Sequence, residues 1–526
     1  MAPPGLPESR RGALRRWASY LAAALLIVAV KLPTLHNDVL FIDEASYLNQ
    51  ARLLDSPEAF AYAFSYRVDT KFQLGLAPFI IAQRISQQQA IVLMRWFGLA
   101  AAIASAWLMV ALARRVFADE RIGLGAAAFW ALLLTNNPLT AAPLLEYFQT
   151  PFVLAACWWF AGAAAHPARR GRLLLLAGAA LGVAALIKPT AIVVAPALAL
   201  TLLWLPRDGR ARLWFGRAHL GWMSCLALGA ALPLLAALAP YLIRPAALED
   251  LRLNMVELPL RYAATLPRQL SLIERLGELL YLLPPGDRLF LALGGGALAW
   301  RWLARPRRRE RDDWLAACIG AAGAALLVGY ASGQLKTHYL IPIQPLLMLL
   351  AVREALLLLP RLSLSGRRIA GGALAVALCL LYLPTAKTYA RFWRDGGAEY
   401  RSQLPAPDAA AAAAYARANS RPDETIWVYY NAPEIYWLAD RKPATTEPVG
   451  SWLTIDIQSG GGYWPERTRR ELERDRPAVI VGIDRPRYLV AAAPPLAGLP
   501  AIGPLLAEAY DCDSASLPGA TLCRRK

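Results

Sequence analysis

The stretch WASYLAAALLIVAVKLPTLHNDVLFIDEASYLNQA, residues 17–51, decides how this chain is read. Residues 17–35 are almost wholly apolar and long enough to cross a bilayer, which takes about 20 residues of helix. Arg10, Arg11, Arg15 and Arg16 precede them. An excess of cations holds that end in the cytoplasm, so the adjacent carboxylates beyond the span, Asp43 and Glu44, are expected on the opposite face. Paired carboxylates above hydrocarbon suit chemistry on a lipid-linked substrate. The plainer reading of the same pair is the first turn of a helix, where acidic residues are favoured.

Working outward, the whole chain is 57% hydrophobic yet carries a formal net charge of +18. The cations fall in clusters between apolar runs: Arg114/Arg115/Arg121, Arg169/Arg170/Arg172, Arg207/Arg210/Arg212/Arg217, Arg301 to Arg311, and Arg361/Arg367/Arg368. That spacing marks cytoplasmic loops, not a nucleic-acid footprint. Threading the chain through the clusters gives about eleven spans, near 17–35, 90–113, 122–138, 147–163, 173–187, 190–205, 218–240, 288–303, 314–331, 339–358 and 369–388. The expected fold class is thus a polytopic α-helical membrane protein with a cytoplasmic N-terminus. Lys31-Leu32-Pro33 stands where a signal peptide would carry small residues for cleavage, so the first span is expected to stay as an anchor.

The expected domains are a transmembrane body over 1–390, with its first outer loop at 36–89, and an exported α/β domain over 391–526. In the loop, residues 43–55 read as a short amphipathic helix with Tyr47, Ala51 and Leu54 on one stripe and Asn49, Gln50 and Arg52 elsewhere. Residues 72–86 are apolar but too short to cross, and read as interfacial or re-entrant. After Tyr389 the long apolar runs stop. There Asp408 is placed to cap an Ala-rich helix, 425–430 and 478–482 read as strands, and helices are expected at 432–439 and about 465–475. Four of the six cysteines fall within spans, while Cys512 and Cys523 lie in the exported tail, either bonded to each other or free. No CxxC or His-rich cluster points to a structural metal.

Several polar residues converge on the outer face. Glu146 opens the fourth span, where a buried acid is costly unless it meets a partner or a cavity. Lys188 follows a long apolar segment and reads at its plainest as a snorkelling anchor. Lys336 and His338 precede Tyr339 at the tenth span, and Lys71 lies late in the first loop. Cations on an outer face run against the topogenic rule, and together they suggest an anionic ligand such as a lipid phosphate.

In these features the chain resembles the bacterial integral-membrane glycosyltransferases with the type C fold, the group that includes protein O-mannosyltransferases and lipid A aminoarabinose transferases. The resemblance covers about residues 15–390. It rests on the acidic pair followed by Tyr47, on Lys71 followed by FQLGLAP, and on Arg95 before the second full span. It continues with Glu146 where Asp is commoner, GAALGVAALIKPT at 178–190, and HYLIPIQP at 338–345. Ser46 stands where the aminoarabinose transferases place an Arg before the Tyr, and no Pro-Pro follows Lys71.

The resemblance implies a polyprenyl-phosphate-linked sugar as donor and a hydroxyl acceptor: lipid A, another glycan or a protein. It implies Asp43 as general base in a single inverting displacement, with Glu146 orienting the acceptor or tuning Asp43 and Glu44 supporting the helix start. Lys71, Lys336, His338 and Tyr339 would bind the donor phosphate, and Tyr47, Arg95 and Lys188 would support acceptor or structure. A phosphate leaving group needs no strong general acid. No cofactor is expected, and a divalent cation only if the fold joins Asp43, Glu44 and Glu146. The high Ala and Arg content suggests a bacterial inner membrane with catalysis on its periplasmic face. The competing readings are a lipid or sugar transporter, which should show internal repeats, and a noncatalytic membrane scaffold displaying the tail.

Overall fold

The computed structural model describes residues 10–35, 42–54, 56–62, 73–134, 144–204, 216–257, 311–331, 337–369, 407–430, 432–446, 451–458, 460–483, 494–499 and 501–526, with isolated positions between 260 and 296 and between 371 and 394. In chain order the helices are α1 (Arg10–Leu35), α2 (Ile42–Leu53), α3 (Pro57–Ala61), α4 (Gln73–Ile85), α5 (Ala90–Phe117), α6 (Glu120–Leu133), α7 (Leu145–Ala165), α8 (Arg170–Ile187), α9 (Val194–Leu202), α10 (Arg217–Ile243), α11 (Pro245–Arg252), α12 (Arg311–Ala331) and α13 (Gln344–Leu358). The tail adds α14 (Pro407–Ala418), α15 (Glu434–Ala439), α16 (Ser451–Gln458), α17 (Tyr463–Asp475) and α18 (Gly503–Ala509). Its strands are β1 (Thr425–Tyr429), β2 (Lys442–Pro443), β3 (Val479–Ile483), β4 (Tyr510–Asp513) and β5 (Ala520–Arg525).

The chain divides into two compact units. The first comprises Met1–His36, Arg95–Ala236 and Ser271–Ala390; the second comprises Asn37–Met94, Ala237–Leu270 and Arg391–Lys526.

The first unit is helical. Among the described residues, five helices are long and apolar enough to cross a membrane: Ala90–Phe117, Leu145–Ala165, Pro167–Ile187, Arg217–Ile243 and Asp312–Tyr330. Trp17–Leu32 and Pro189–Leu202 are shorter apolar helices. The spans expected near 288–303 and 369–388 fall largely outside the described residues. Helix α7 lies along α8, α6 packs between α1 and α13, and α12 packs on α9. Small residues set how close the helices come. A Cβ added to Gly178 would stand 2.0 Å from the Leu226 carbonyl oxygen, and one on Gly229 would stand 2.1 Å from that of Leu175. Backbone-to-backbone approach of this kind replaces the hydrophobic drive that helices lack in lipid.

The second unit holds a five-stranded sheet of order β2-β1-β3-β5-β4. β1 runs parallel to β2 and β3, while β5 runs antiparallel to both β3 and β4. The sheet is covered on both faces, as alternation along its strands requires. Val428, Val479, Val481 and Leu522 pack on α14 and α15; Trp427, Tyr429, Ile480 and Cys523 pack with Trp464, Leu472 and Leu506 on the other side. Cys512 and Cys523 sit opposite each other on β4 and β5 and form a disulfide.

Two local expectations change. Helix α2 is not amphipathic: Glu44 through Gln50 are all buried, including Asn49 and Gln50. The expected polar stripe is covered because α4 and α15 pack against the helix. The Asn49 amide donates to the Pro433 carbonyl at 2.7 Å, Gln50 to Ser46 Oγ at 3.0 Å, and Gln83 of α4 to the Leu48 carbonyl at 2.5 Å. Helix α14 begins at Pro407, one residue before the expected cap position Asp408.

Candidate functional site at the helix ends of the first unit

Helix α8 stops at Ile187 because Pro189 follows Lys188, and a residue before proline is pushed out of the helical region. Lys188 is accordingly extended, with φ −147° and ψ 119°. Its side chain forms an ion pair with Glu146 Oε1, in the first turn of α7. The Glu146 carboxylate is 1% exposed, so this partner is what makes its burial tolerable.

Aromatic faces close the rest of the pair. Lys188 Nζ lies 3.7 Å from the ring centroid of Tyr339 and 5.2 Å from that of Tyr330. The two rings stack with centroids 4.9 Å apart. An ammonium held against tyrosine faces gains cation–π attraction where water is scarce. His338 stands edge-on to Tyr339, and its Nε2 is 3.9 Å from Glu146 Oε1. The Tyr330 hydroxyl donates to Gln149 Oε1 at 2.8 Å, and Gln149 Nε2 donates to the Lys188 carbonyl at 2.9 Å. That last bond ties the broken end of α8 to α7.

Next to Glu146, Tyr147 accepts a 3.1 Å hydrogen bond on its hydroxyl from Lys31 Nζ. Lys31 is 3% exposed and also lies 4.3 Å from the Tyr147 ring centroid. A second lysine is therefore sequestered beside the cluster, and charge buried within a span marks function more often than accident.

The structure thus unites Glu146, Lys188, His338 and Tyr339. Arg95 is buried on α5 of the same unit. Asp43, Glu44 and Tyr47 belong to the second unit, on α2. Asp43 is half-buried, Glu44 is fully buried, and Tyr47 makes an edge-to-face contact with Phe79 at 5.1 Å. Lys71 and Lys336 lie outside the described residues. Among the described residues no group of three or more His, Cys, Asp or Glu side chains is arranged to hold a metal ion.

Sequence reasoning did not single out Gln149, Tyr147, Tyr330 or Lys31 as site residues. Gln149 had a signal, one helical turn after Glu146 on the same face. Lys31 had another, a lone charge closing an apolar run.

Residues 79–236 match the profile of the dolichyl-phosphate-mannose-protein mannosyltransferase family. Comparison with curated protein sequences gives no significant match. Among solved structures the chain is similar to ArnT from Cupriavidus metallidurans bound to undecaprenyl phosphate, with TM-score 0.60, 18% identity and coverage of 98% of each chain. The fold is that of the type C glycosyltransferases. A second type C structure, the archaeal oligosaccharyltransferase AglB from Archaeoglobus fulgidus in complex with an inhibitory peptide and a dolichol-phosphate, matches with TM-score 0.51 and 14% identity over 90% of this chain and 70% of that one.

Proposed function

We propose that this protein transfers a sugar from a polyprenyl-phosphate donor to a hydroxyl acceptor, with inversion at the anomeric carbon. The observation that carries the reading is the Glu146–Lys188–His338 cluster, walled by Tyr330 and Tyr339, at helix ends of the first unit. The relatives solved with undecaprenyl phosphate and with a dolichol-phosphate support a lipid phosphate as the donor's handle.

In this reading Asp43 is the general base that takes the proton from the acceptor hydroxyl. Its partial exposure, beside a fully buried Glu44, favours it over its neighbour, and Glu44 holds the start of α2. The acceptor oxygen attacks the anomeric carbon as the bond to the phosphate breaks, and the electron pair leaves with the phosphate. Lys71, Lys336, His338 and Tyr339 offset the charge that grows there, an electrostatic contribution larger in a water-poor site. Lys188 is engaged by Glu146 and acts as support, as do Tyr47 and Arg95; Glu146 orients the acceptor or tunes the base.

The same reading has about eleven spans over 1–390, a cytoplasmic N-terminus and a periplasmic α/β domain over 391–526, in a bacterial inner membrane. The Cys512–Cys523 disulfide supports an oxidising compartment for the tail. The acceptor is a lipid, a glycan or a protein, and the donor sugar is a hexose or a pentose.

The test is sugar transfer by purified protein in lipid from a panel of polyprenyl-phosphate sugars, comparing wild type with Asp43→Asn. Turnover lower by about 10²–10⁴-fold with donor binding retained is the expected outcome for loss of a general base. Equal turnover in both proteins removes Asp43 from that role.

A further inference from the structure

A cavity of about 360 Å³ opens within the second unit, between α2, α4 and the turn that follows α15. Its size falls at the lower end of small-molecule sites, about 300–1,000 Å³. Among the described residues, Arg52, Arg84, Arg441 and Lys442 line it, with the carboxylate of Asp440. Gln83 and Gln87 supply amides on the α4 side.

The cations differ in what they can offer. Arg441 is buried and spends all its N–H groups on the chain: Nε on Ser420 Oγ, and the two terminal nitrogens on the carbonyls of Ala439, Asp440, Arg417 and Ser420. It contributes charge and holds the wall. Arg52 is different. Its side chain is 8% exposed and lies over the Trp437 ring at 4.4 Å, with one terminal nitrogen 3.2 Å from Asp440 Oδ1. Its Nε is buried and has no hydrogen-bond partner among the described residues. Burial pulls its guanidinium below the ordinary arginine range, with Asp440 opposing the shift. A donor left in that state favours any acceptor that enters. Arg84 and Lys442 stand exposed at the mouth.

We infer that this cavity binds a phosphate monoester, with Arg52 as the buried donor and Arg84 and Lys442 as the entrance cations. A guanidinium matches phosphate oxygens two at a time, and the unpartnered Nε of Arg52 is a buried donor ready for one of them. The volume leaves room for a sugar carried on the phosphate. Assigning that ligand to the acceptor rests on the transferase reading above; the binding itself does not.

The test uses the full chain in zwitterionic nanodiscs and needs no sugar transfer, so it stands or falls separately from that reading. Calorimetric titration with glucose 6-phosphate probes a soluble source. Native mass spectrometry of protein released from nanodiscs containing phosphatidic acid probes a lipid-borne one. Saturable binding in either arm, weakened roughly ten-fold or more by the exposed double variant R84Q/K442Q and by R52K, is expected. The arm that saturates identifies the source. Absence of binding in both arms, or binding that R84Q/K442Q leaves unchanged, overturns the inference. That variant sits at the surface, so the test holds even if R52K fails to fold.

Discussion

Glu146 and Lys188 form an ion pair, its carboxylate buried and its ammonium partly exposed, between the first turn of α7 and the break that ends α8. The pair joins two helices at a point where one of them has lost its backbone continuity. Removing Lys188 strands the buried Glu146 carboxylate, which typically costs about 3–5 kcal/mol, and removing Glu146 from the partly exposed Lys188 costs less. Lys188→Met alone is therefore expected to lower the thermal midpoint of the detergent-solubilised protein sharply, and Glu146→Leu alone to lower it less. The double variant should recover much of that loss, because two matched apolar side chains leave no orphan. If the double variant is as unstable as the sum of the singles, the pair is not coupled.

Helix packing yields a second expectation. Gly178→Leu has nowhere to put even its Cβ, which would meet the Leu226 carbonyl oxygen at 2.0 Å. Forcing α8 and α10 apart should cost at least about 1–3 kcal/mol, the usual range for overpacking. Gly221→Ala, on α10 with open space around it, serves as the control and should leave stability unchanged or raise it by up to about 1 kcal/mol.

The disulfide closes a short loop across β4 and β5. Cys512→Ala/Cys523→Ala should destabilise the tail by about 2–4 kcal/mol. Limited proteolysis followed by mass mapping reads this directly, with new cuts expected between 484 and 526. An unchanged digestion pattern would show that the sheet's two buried faces suffice without the bridge.

Tyr510 gives a pH dependence whose sign can be worked out. Burial pushes its hydroxyl up to about 12, and that hydroxyl donates to the Pro477 carbonyl at 3.1 Å. The folded state holds this proton more tightly than the unfolded chain does. The resulting stability is complete below the ordinary tyrosine value near 10 and is lost as pH rises through the folded value. Tyr510→Phe should cost about 1 kcal/mol at neutral pH for the lost hydrogen bond and should show a shallower loss between those two values. Parallel alkaline curves for the two proteins would contradict this.

Much of the site was legible because membranes make charge conspicuous. Glu146, Lys188 and His338 stand out in apolar surroundings, and their positions at helix ends followed from the cation clusters alone. Gln149 and Tyr330 were harder, since an amide and a phenol at the end of an apolar helix look like ordinary packing until a partner distant in sequence is known. Helix α2 misled for a related reason. Asn49 and Gln50 signal a solvated face, yet the Pro433 carbonyl and Ser46 Oγ accept from their amide nitrogens inside. The two C-terminal strands escaped detection because β4 carries charge and turn residues, and pairing with β5 is what makes it a strand.

The bond from Asn49 to the Pro433 carbonyl spans 384 residues of chain. Helix α2 is synthesised long before the α15 region that packs on it. Gln50 and Leu48 find their partners nearby, on Ser46 and on Gln83 of α4, but the Asn49 amide has to wait for the Pro433 carbonyl. The contact between α2 and α15 therefore closes only after the long stretch of chain between them has been made, and contacts so far apart in sequence form slowly. A chain cut short before residue 430 would contain α2 but lack the carbonyl to which the Asn49 amide donates.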